Sequence, residues 1–254
     1  MIPKHGSCYN HPLMFSLRNC LPSLLLIATL ATSWSFAQNA APARSSVNAK
    51  PTSDPDNATV IAALRQALEI SSTKAIEQTG KHDGFLQNEA IRILLPPRLQ
   101  PIGKSMRMLG RGDEVDELEI GMNRAAEDAV PQTKPIFLAA LKNLVWKDPG
   151  LIVNGGNTAA TEYFRRSSSA DLSAALTPIM HRSLEHHGVI KQYKHVLKSD
   201  PGGNAIASEF DLDQYVVDQT LQGIFEVMAS EESNIRSDPA AQNSDLLKQV
   251  FGGK

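Results

Sequence analysis

The chain has 254 residues, 25 of them basic and 27 acidic, for a formal charge of −2. That balance argues against a nucleic-acid footprint, which would be basic and clustered. Both cysteines, Cys8 and Cys20, precede residue 37, so the remainder carries no disulfide, thiol nucleophile or thiolate metal site.

The N-terminal part reads as a targeting segment. Leu21 to Phe36 is apolar and rich in small residues, Lys4 and Arg18 precede it, and Ser35-Phe36-Ala37 suits a signal peptidase. We expect a signal peptide over residues 1–37, with cleavage after Ala37. The run is too short and too interrupted by Thr and Ser to serve well as a membrane anchor. Met14 would give a more ordinary leader than Met1. Residues 38–56 are mostly Ala, Pro, Ser, Asn and Asp, which suits a disordered linker. The expected product is exported to the periplasm, spans no membrane after cleavage and must be held together by its core.

A first helix is expected over Asn57 to Thr79, with Val60, Leu64, Leu68, Ala75 and Ile76 at helical spacing and Gly80 as its stop. Lys81 to Glu89 reads as a loop. Ala90 to Leu95 is strand-like, yet no partner strand is evident anywhere in the chain. Pro96-Pro97 opens a helix to about Leu109, with Leu99, Ile102, Met106 and Leu109 on one face. Gly110 and Gly112 break it.

The densest charge and clearest helical period lie in Asp113 to Val130, and Pro131 separates this helix from one ending near Leu144. Asp148-Pro149-Gly150 is a turn signal, and the apolar Leu151-Ile152-Val153 leads to a second turn at Asn154-Gly155-Gly156-Asn157. A helix over Thr158 to Arg166, capped by Asn157 or Thr158, is expected next. Ser168 and Asp171 resemble a capping box for another helix through His187, closed by Gly188. A brief helix follows over Val189 to Leu197, then an open loop over Ser199 to Ala205. Asp211 caps the last long helix, whose buried face is Val217, Leu221, Ile224, Phe225, Met228 and Ile235. Asp238-Pro239 ends it before a terminal helix over Ser244 to Phe251. The expected fold class is all-α, a multi-helix bundle with short connecting turns, forming one helical domain over residues 57–252.

Several strings resemble those of domain-of-unknown-function family 4197, a bacterial family of exported proteins. They are Asp116-Glu117-Leu118-Glu119, Met122-Asn123-Arg124-Ala125-Ala126-Glu127 and Ala129-Val130-Pro131, then Lys134-Pro135-Ile136-Phe137. Asn154-Gly155-Gly156, Ala159-Ala160-Thr161, Tyr163-Phe164-Arg165, Lys191-Gln192-Tyr193, Asp211-Leu212-Asp213 and Asp238-Pro239-Ala240 continue the series. The resemblance covers about Asn57 to Gly252. It implies a secreted, mostly helical protein and assigns no reaction. His181, His186 and His187 fall outside its pattern.

On a helical projection, Val115, Leu118, Met122, Ala125, Ala126 and Ala129 share one arc, which makes a core face. Asp116, Glu119, Asn123 and Glu127 flank it, with Ile120 among them and Arg124 placed to pair with Asp128. Gly121 costs about 1 kcal/mol against alanine in a helix interior, so a second backbone is expected to come close there. A covered flank would leave Glu119 and Asn123 partly buried, with Arg165 or Arg166 as natural partners. The functional reading is a polar pocket; a structural network that fixes register suits the same residues and is favoured.

Other constellations are weaker. Glu119 and Glu127 lie roughly 12 Å apart along the helix, far for a glycosidase pair. His181 with Glu185 lacks the further ligand a metal needs and suits a solvated helix end. Asn154 to Asn157 lacks the lysine of a phosphate loop, and Ser167 to Ser169 reads as linker and cap. Tyr163, Phe164, Arg165 and Arg166 mix aromatic and basic groups that suit a carbohydrate, an acidic partner or a lipid head group. The sequence therefore favours a non-catalytic binding module with candidate residues Glu119, Asn123, Arg124, Glu127, Tyr163 and Arg165. It calls for no cofactor and no metal. The partner would be an envelope protein, a wall fragment or a lipid. A periplasmic hydrolase using the Glu119 and Glu127 carboxylates, or a lipid or small-molecule carrier, are the alternatives.

Overall fold

The computed structural model describes residues 55–199 and 209–252. The expected leader, both cysteines, both candidate start methionines, nearly all of the expected linker and most of the Ser199 to Ala205 loop lie outside them. The described chain is helical, with no β-strand among these residues. Its helices are α1 (Asn57–Thr79), α2 (Gln100–Met108), α3 (Gly112–Ala129), α4 (Lys134–Asn143) and α5 (Pro149–Val153). They continue with α6 (Ala159–His186), α7 (Val189–Lys198), α8 (Leu212–Ser237) and α9 (Asp245–Phe251). Three short 3₁₀ turns, at Pro97–Leu99, Val130–Thr133 and Pro239–Ala241, each carry a proline in the first turn, where its missing N–H costs nothing.

Local chemistry sets the ends. Asp56 caps α1 by accepting from the Thr59 N–H at 2.8 Å, and Asp211 caps α8 by accepting from the Gln214 N–H at 3.0 Å. Ser244 caps α9 through the Leu247 N–H. Gly110, at φ +77°, ends the turn after α2 in the left-handed conformation that costs glycine least. That turn swings Leu109 outward to 76% exposure, so the expected four-residue buried face is Leu99, Ile102 and Met106 alone.

The helices pack around one another with α8 lying against both α1 and α6, and α3 against α2, α6 and α7. All six residues of the expected α3 face are fully buried. So are Val217, Ile224 and Met228 on α8, with Leu221, Phe225 and Ile235 nearly so. Phe137, Phe164 and Phe225 meet between α4, α6 and α8 with ring centroids 5.9 to 6.2 Å apart and tilted or edge-on planes. Each such ring pair contributes about 0.5–1.5 kcal/mol beyond its burial.

Two sequence expectations fail here. The helices expected over Thr158 to Arg166 and from Ser168 to His187 are one continuous helix of 28 residues, α6. The serine run is neither linker nor cap. Ser168 is buried in the middle of α6, and Ser169 returns its hydroxyl to the Arg165 carbonyl one turn back at 2.7 Å. Residues that favour caps in isolation are overruled where the flanking faces bury Phe164, Leu172 and Leu176. The turn expected at Asp148-Pro149-Gly150 also winds on into α5, with Asp148 itself left-handed at φ +49°.

Candidate functional site

Three of the expected site residues form a ladder along α3. Glu119, Asn123 and Glu127 stand four residues apart, on one flank, and are 9%, 0% and 5% exposed. Against them runs the segment from Asp83 to Leu95, in the opposite direction. Glu119 Oε1 accepts from the Leu95 N–H at 3.1 Å. Asn123 pairs with Ile93 both ways: Oδ1 accepts from its N–H at 2.9 Å, and Nδ2 donates to its carbonyl at 2.7 Å. Glu127 Oε1 accepts from the Phe85 and Leu86 N–H groups at 3.1 and 3.0 Å. Four residues of helix rise about 6 Å and two residues of extended chain about 6.6 Å, so the Glu119 and Asn123 rungs meet Leu95 and Ile93 in step, whereas Glu127 holds the turn at Phe85 and Leu86.

This resolves the strand-like Ala90 to Leu95. Its alternation is real: Ile91, Ile93 and Leu95 are buried, while Arg92 and Leu94 face out. Its hydrogen-bonding partner is a column of helix side chains instead of a neighbouring strand. Tyr215 of α8 donates to the Leu94 carbonyl at 3.0 Å from the other side. Burial, reinforced by the negative charge of Glu119, raises the Tyr215 hydroxyl above its ordinary pKa.

The expected arginine partners were the wrong ones. Arg165 pairs with Glu162 on the surface of its own helix at 2.7 Å, and Arg166 is exposed. The guanidinium that reaches the ladder is Arg124, which donates to Glu127 Oε2 at 2.6 Å and to Asp83 Oδ1 at 2.7 Å. It does not pair with Asp128, which accepts from Ser183 of α6 at 2.9 Å. Asp83 sits at φ +64°, and its hydrogen bond from Arg124 holds its carboxyl below the usual range. Arg92 and Arg107 lie 3.8 Å from the Glu119 oxygens. Ile120 is 42% exposed, so the flank is not covered where it was expected to be. The close approach at Gly121 lies on the next face and is made by a side chain, not by the second backbone that was expected. A Cβ there would meet Val189 Cγ2 at 3.0 Å and the His187 carbonyl at 3.9 Å, at the turn joining α6 to α7.

A second buried pair escaped the sequence reading. Glu232 and Arg236, one turn apart on α8, are 0% and 7% exposed and bonded at 2.7 Å. The Glu232 carboxylate accepts from the Ala160 and Thr161 N–H groups at 3.0 and 2.6 Å, which caps α6. Neither Asn157 nor Thr158 supplies that cap. The helix N-terminus after Asn154 to Asn157 therefore does hold an anion, and the anion is the protein's own. Arg236 donates to the Val153 and Ile152 carbonyls at 2.9 and 3.2 Å, which closes the end of α5, and lies 5.0 Å over the Phe251 ring. The clue was register: Glu232 falls four residues after Met228 and seven after Phe225, on the core stripe.

The histidines are surface groups. His181 binds Asp213 through Nδ1 and lies 3.5 Å from Glu185 through Nε2; the hydrogen bond its imidazolium donates to the Asp213 carboxylate, aided by that group's charge, raises the His181 pKa. His195 meets Glu114 at 2.8 Å, beside the two-pronged Arg111–Glu114 pair. No group of three or more His, Cys, Asp or Glu side chains suited to a metal occurs among the described residues.

Tyr163 stands apart from the ladder, and Arg165 with it. The Tyr163 ring stacks on Trp146, with centroids 5.8 Å apart and planes 11° from parallel. Its hydroxyl donates to the Val145 carbonyl at 2.6 Å and accepts from the Lys147 N–H at 3.0 Å. Tyr163 thus forms one end of a groove of ≈ 670 Å³ between α4 and α6. Ile136, Ala140, Leu144, Leu172 and Ala175 give it an apolar floor, and Asn143, Ser167, Asp171 and Lys147 give it polar flanks. Arg165 is not in its lining. Glu119 reaches a different concavity, of ≈ 540 Å³, beside Leu94, Lys104, Arg107 and Met108.

The architecture is that of an all-helical domain whose buried carboxylates, amide and guanidinium groups tie loops and helix ends to the core. The family model described as Protein of unknown function (DUF4197) matches residues 54–252, and the chain belongs to that family. No curated protein and no solved structure matches it.

Proposed function

We propose that this protein is a non-catalytic binding module of the bacterial envelope and that it takes its ligand in the groove between α4 and α6. In this reading residues 1–37 are a signal peptide, 38–56 a linker and 57–252 a single helical domain working in the periplasm. One observation carries it: the polar side chains of the buried networks and those of the groove are engaged in opposite ways. Those of the α3 ladder and of the Glu232–Arg236 pair are occupied by backbone groups and by one another. Among the described residues, the side chains of Asn143, Ser167, Asp171 and Lys147 find no hydrogen-bond partner, and all four line one concave, half-apolar surface of ligand size.

The same contrast weighs against a hydrolase that needs the Glu127 carboxylate. A general acid or base needs an oxygen free to meet the reacting group. Glu127 spends one oxygen on two amides and the other on Arg124. A carrier would need an enclosed apolar cavity, whereas this groove is open and polar along its sides.

Export is tested by mass: protein recovered from the periplasm should begin at Gln38, and a product that retains Met1 or Met14 would overturn the signal-peptide assignment. Binding is tested by native mass spectrometry of the same material. A ligand retained by the wild type and lost on Asp171→Ala supports the groove; one lost on Glu119→Gln but kept on Asp171→Ala refutes it.

A further inference from the structure

We infer that the ligand of the α4–α6 groove is a neutral, hydroxyl-rich oligosaccharide, an inference that rests on the groove being the binding site. The groove is long. Tyr163, Ser167, Asp171 and Ala175 follow one another at four-residue intervals on α6, a stripe about 18 Å long. Ile136, Ala139, Ala140 and Asn143 form the facing stripe on α4. Ala139, Ala140 and Ala175 put no bulky side chain into the lining, which leaves room for a flat, extended ligand.

The chemistry of the lining selects among ligand classes. Its charges are one Lys147 ammonium and one Asp171 carboxylate, so the groove has no net charge to offer an anion, and Asp171 would repel one. An acyl chain would strip water from Asn143, Ser167 and Asp171 without replacing their hydrogen bonds, which costs heavily for each group. A peptide held by its main chain needs a free sheet edge or a row of apolar anchor pockets. Here the two long walls are helices whose backbone groups pair internally, the non-helical stretch at 144–147 already gives the Val145 carbonyl and the Lys147 N–H to Tyr163, and the polar positions interrupt any apolar row. What remains is a ligand that both donates and accepts, carries no charge and offers an apolar face. Sugar rings do all three: their hydroxyls meet planar amide and carboxylate groups, and their C–H faces lie on aromatic and aliphatic surface.

Tyr163 is suited to the last role because it is immobile. Its hydroxyl is tied to two backbone groups and its ring to Trp146, so little side-chain freedom is left to lose on binding. Trp146 also supplies the readout. The chain's other tryptophan, Trp34, lies in the proposed signal peptide, so the protein that begins at Gln38 fluoresces from beside the groove alone.

The test is a titration of the protein purified from the periplasm with four probes: chitotetraose, cellotetraose, tetra-alanine and dodecanoate. Tryptophan emission and calorimetry are read together. The expected result is saturable binding of at least one tetrasaccharide. Asp171→Ala should weaken it roughly tenfold and Asn143→Ala by a few-fold. Ala175→Phe, which fills the floor, should abolish it while the melting temperature confirms the fold. Binding of the peptide or the fatty acid with no tetrasaccharide bound would overturn the sugar assignment and leave the groove reading standing. Silence from all four probes at millimolar concentration would overturn both.

Discussion

Replacing Asn123 with leucine tests whether side-chain rungs hold the Asp83 to Leu95 segment in place. The side chain is fully buried, and leucine keeps its four-atom branched skeleton with bulkier ends, so the change removes hydrogen bonds without opening a cavity and adds some crowding of its own. It leaves the Ile93 N–H and carbonyl without partners in a dry site. Each costs about 1–3 kcal/mol, so the loss should be about 2–6 kcal/mol out of a total stability of about 5–15 kcal/mol. The third bond, to the Glu119 carbonyl, adds little because that carbonyl keeps its place in the helix ladder. At about 2–4 °C per kcal/mol for a domain of this size, the midpoint should fall by roughly 10 °C. Urea titration followed by circular dichroism gives the free energy, and an unchanged slope shows that the denatured state is the same. Amide exchange locates the effect: the Ile93 and Leu95 N–H groups should lose protection ahead of the α1 and α8 core. Arg165→Ala is the control and should change stability by no more than about 0.5 kcal/mol, since its partner is an exposed residue one turn away. A loss below about 1 kcal/mol for Asn123→Leu, or unaltered exchange at Ile93, would refute the reasoning.

Glu232→Ala strands the Arg236 guanidinium and two α6 amides in the interior, so it should cost about 3–5 kcal/mol by denaturant titration; a near-neutral result would mean that water replaces the carboxylate. Gly223→Val should destabilise by about 1–3 kcal/mol, because a Cβ there already meets Phe85 Cε1 at 2.6 Å and Ile91 Cβ at 3.2 Å. The His181–Asp213 pair predicts a pH dependence of definite sign. His181 has its pKa raised in the fold, so its contribution is fully present below the unfolded histidine value near 6.5 and is lost as pH rises through the folded one. The stability gap between wild type and His181→Gln should therefore narrow on going from mildly acid to alkaline buffer; a gap that widens would reverse the assignment.

Helix periodicity made most of the fold legible. The buried faces of α1, α3 and α8 follow from the spacing of their apolar residues, because burial of one stripe is what fixes such helices. The continuity of α6 was hidden for the opposite reason. Ser167-Ser168-Ser169 with Asp171 presents a good local cap, and only packing on both sides of it decides against using that cap. The polar flank of α3 was legible as partly buried, but its partners were not. Glu119, Asn123 and Glu127 bind backbone groups 24 to 42 residues away, and main-chain donors leave no mark in a sequence. The result divides the expected site. Glu119, Asn123, Arg124 and Glu127 sit together as one network, while Tyr163 stands in a separate groove beside Asn143 and Asp171, which no sequence pattern marked as site residues.

The ladder on α3 also constrains the order in which the molecule assembles. An ordinary strand finds its register by pairing with another strand, and the two can form together. Residues 83–95 have no such route, because their rungs exist only once α3 has acquired its pitch and aligned Glu119, Asn123 and Glu127. Helices form locally and fast, whereas these contacts must close loops of tens of residues. The segment should therefore dock late, and substitutions at Ile91 or Ile93 should speed unfolding while leaving the folding rate nearly unchanged. Stopped-flow measurements of both rates decide this, and a slowed folding limb would place the segment in the nucleus instead.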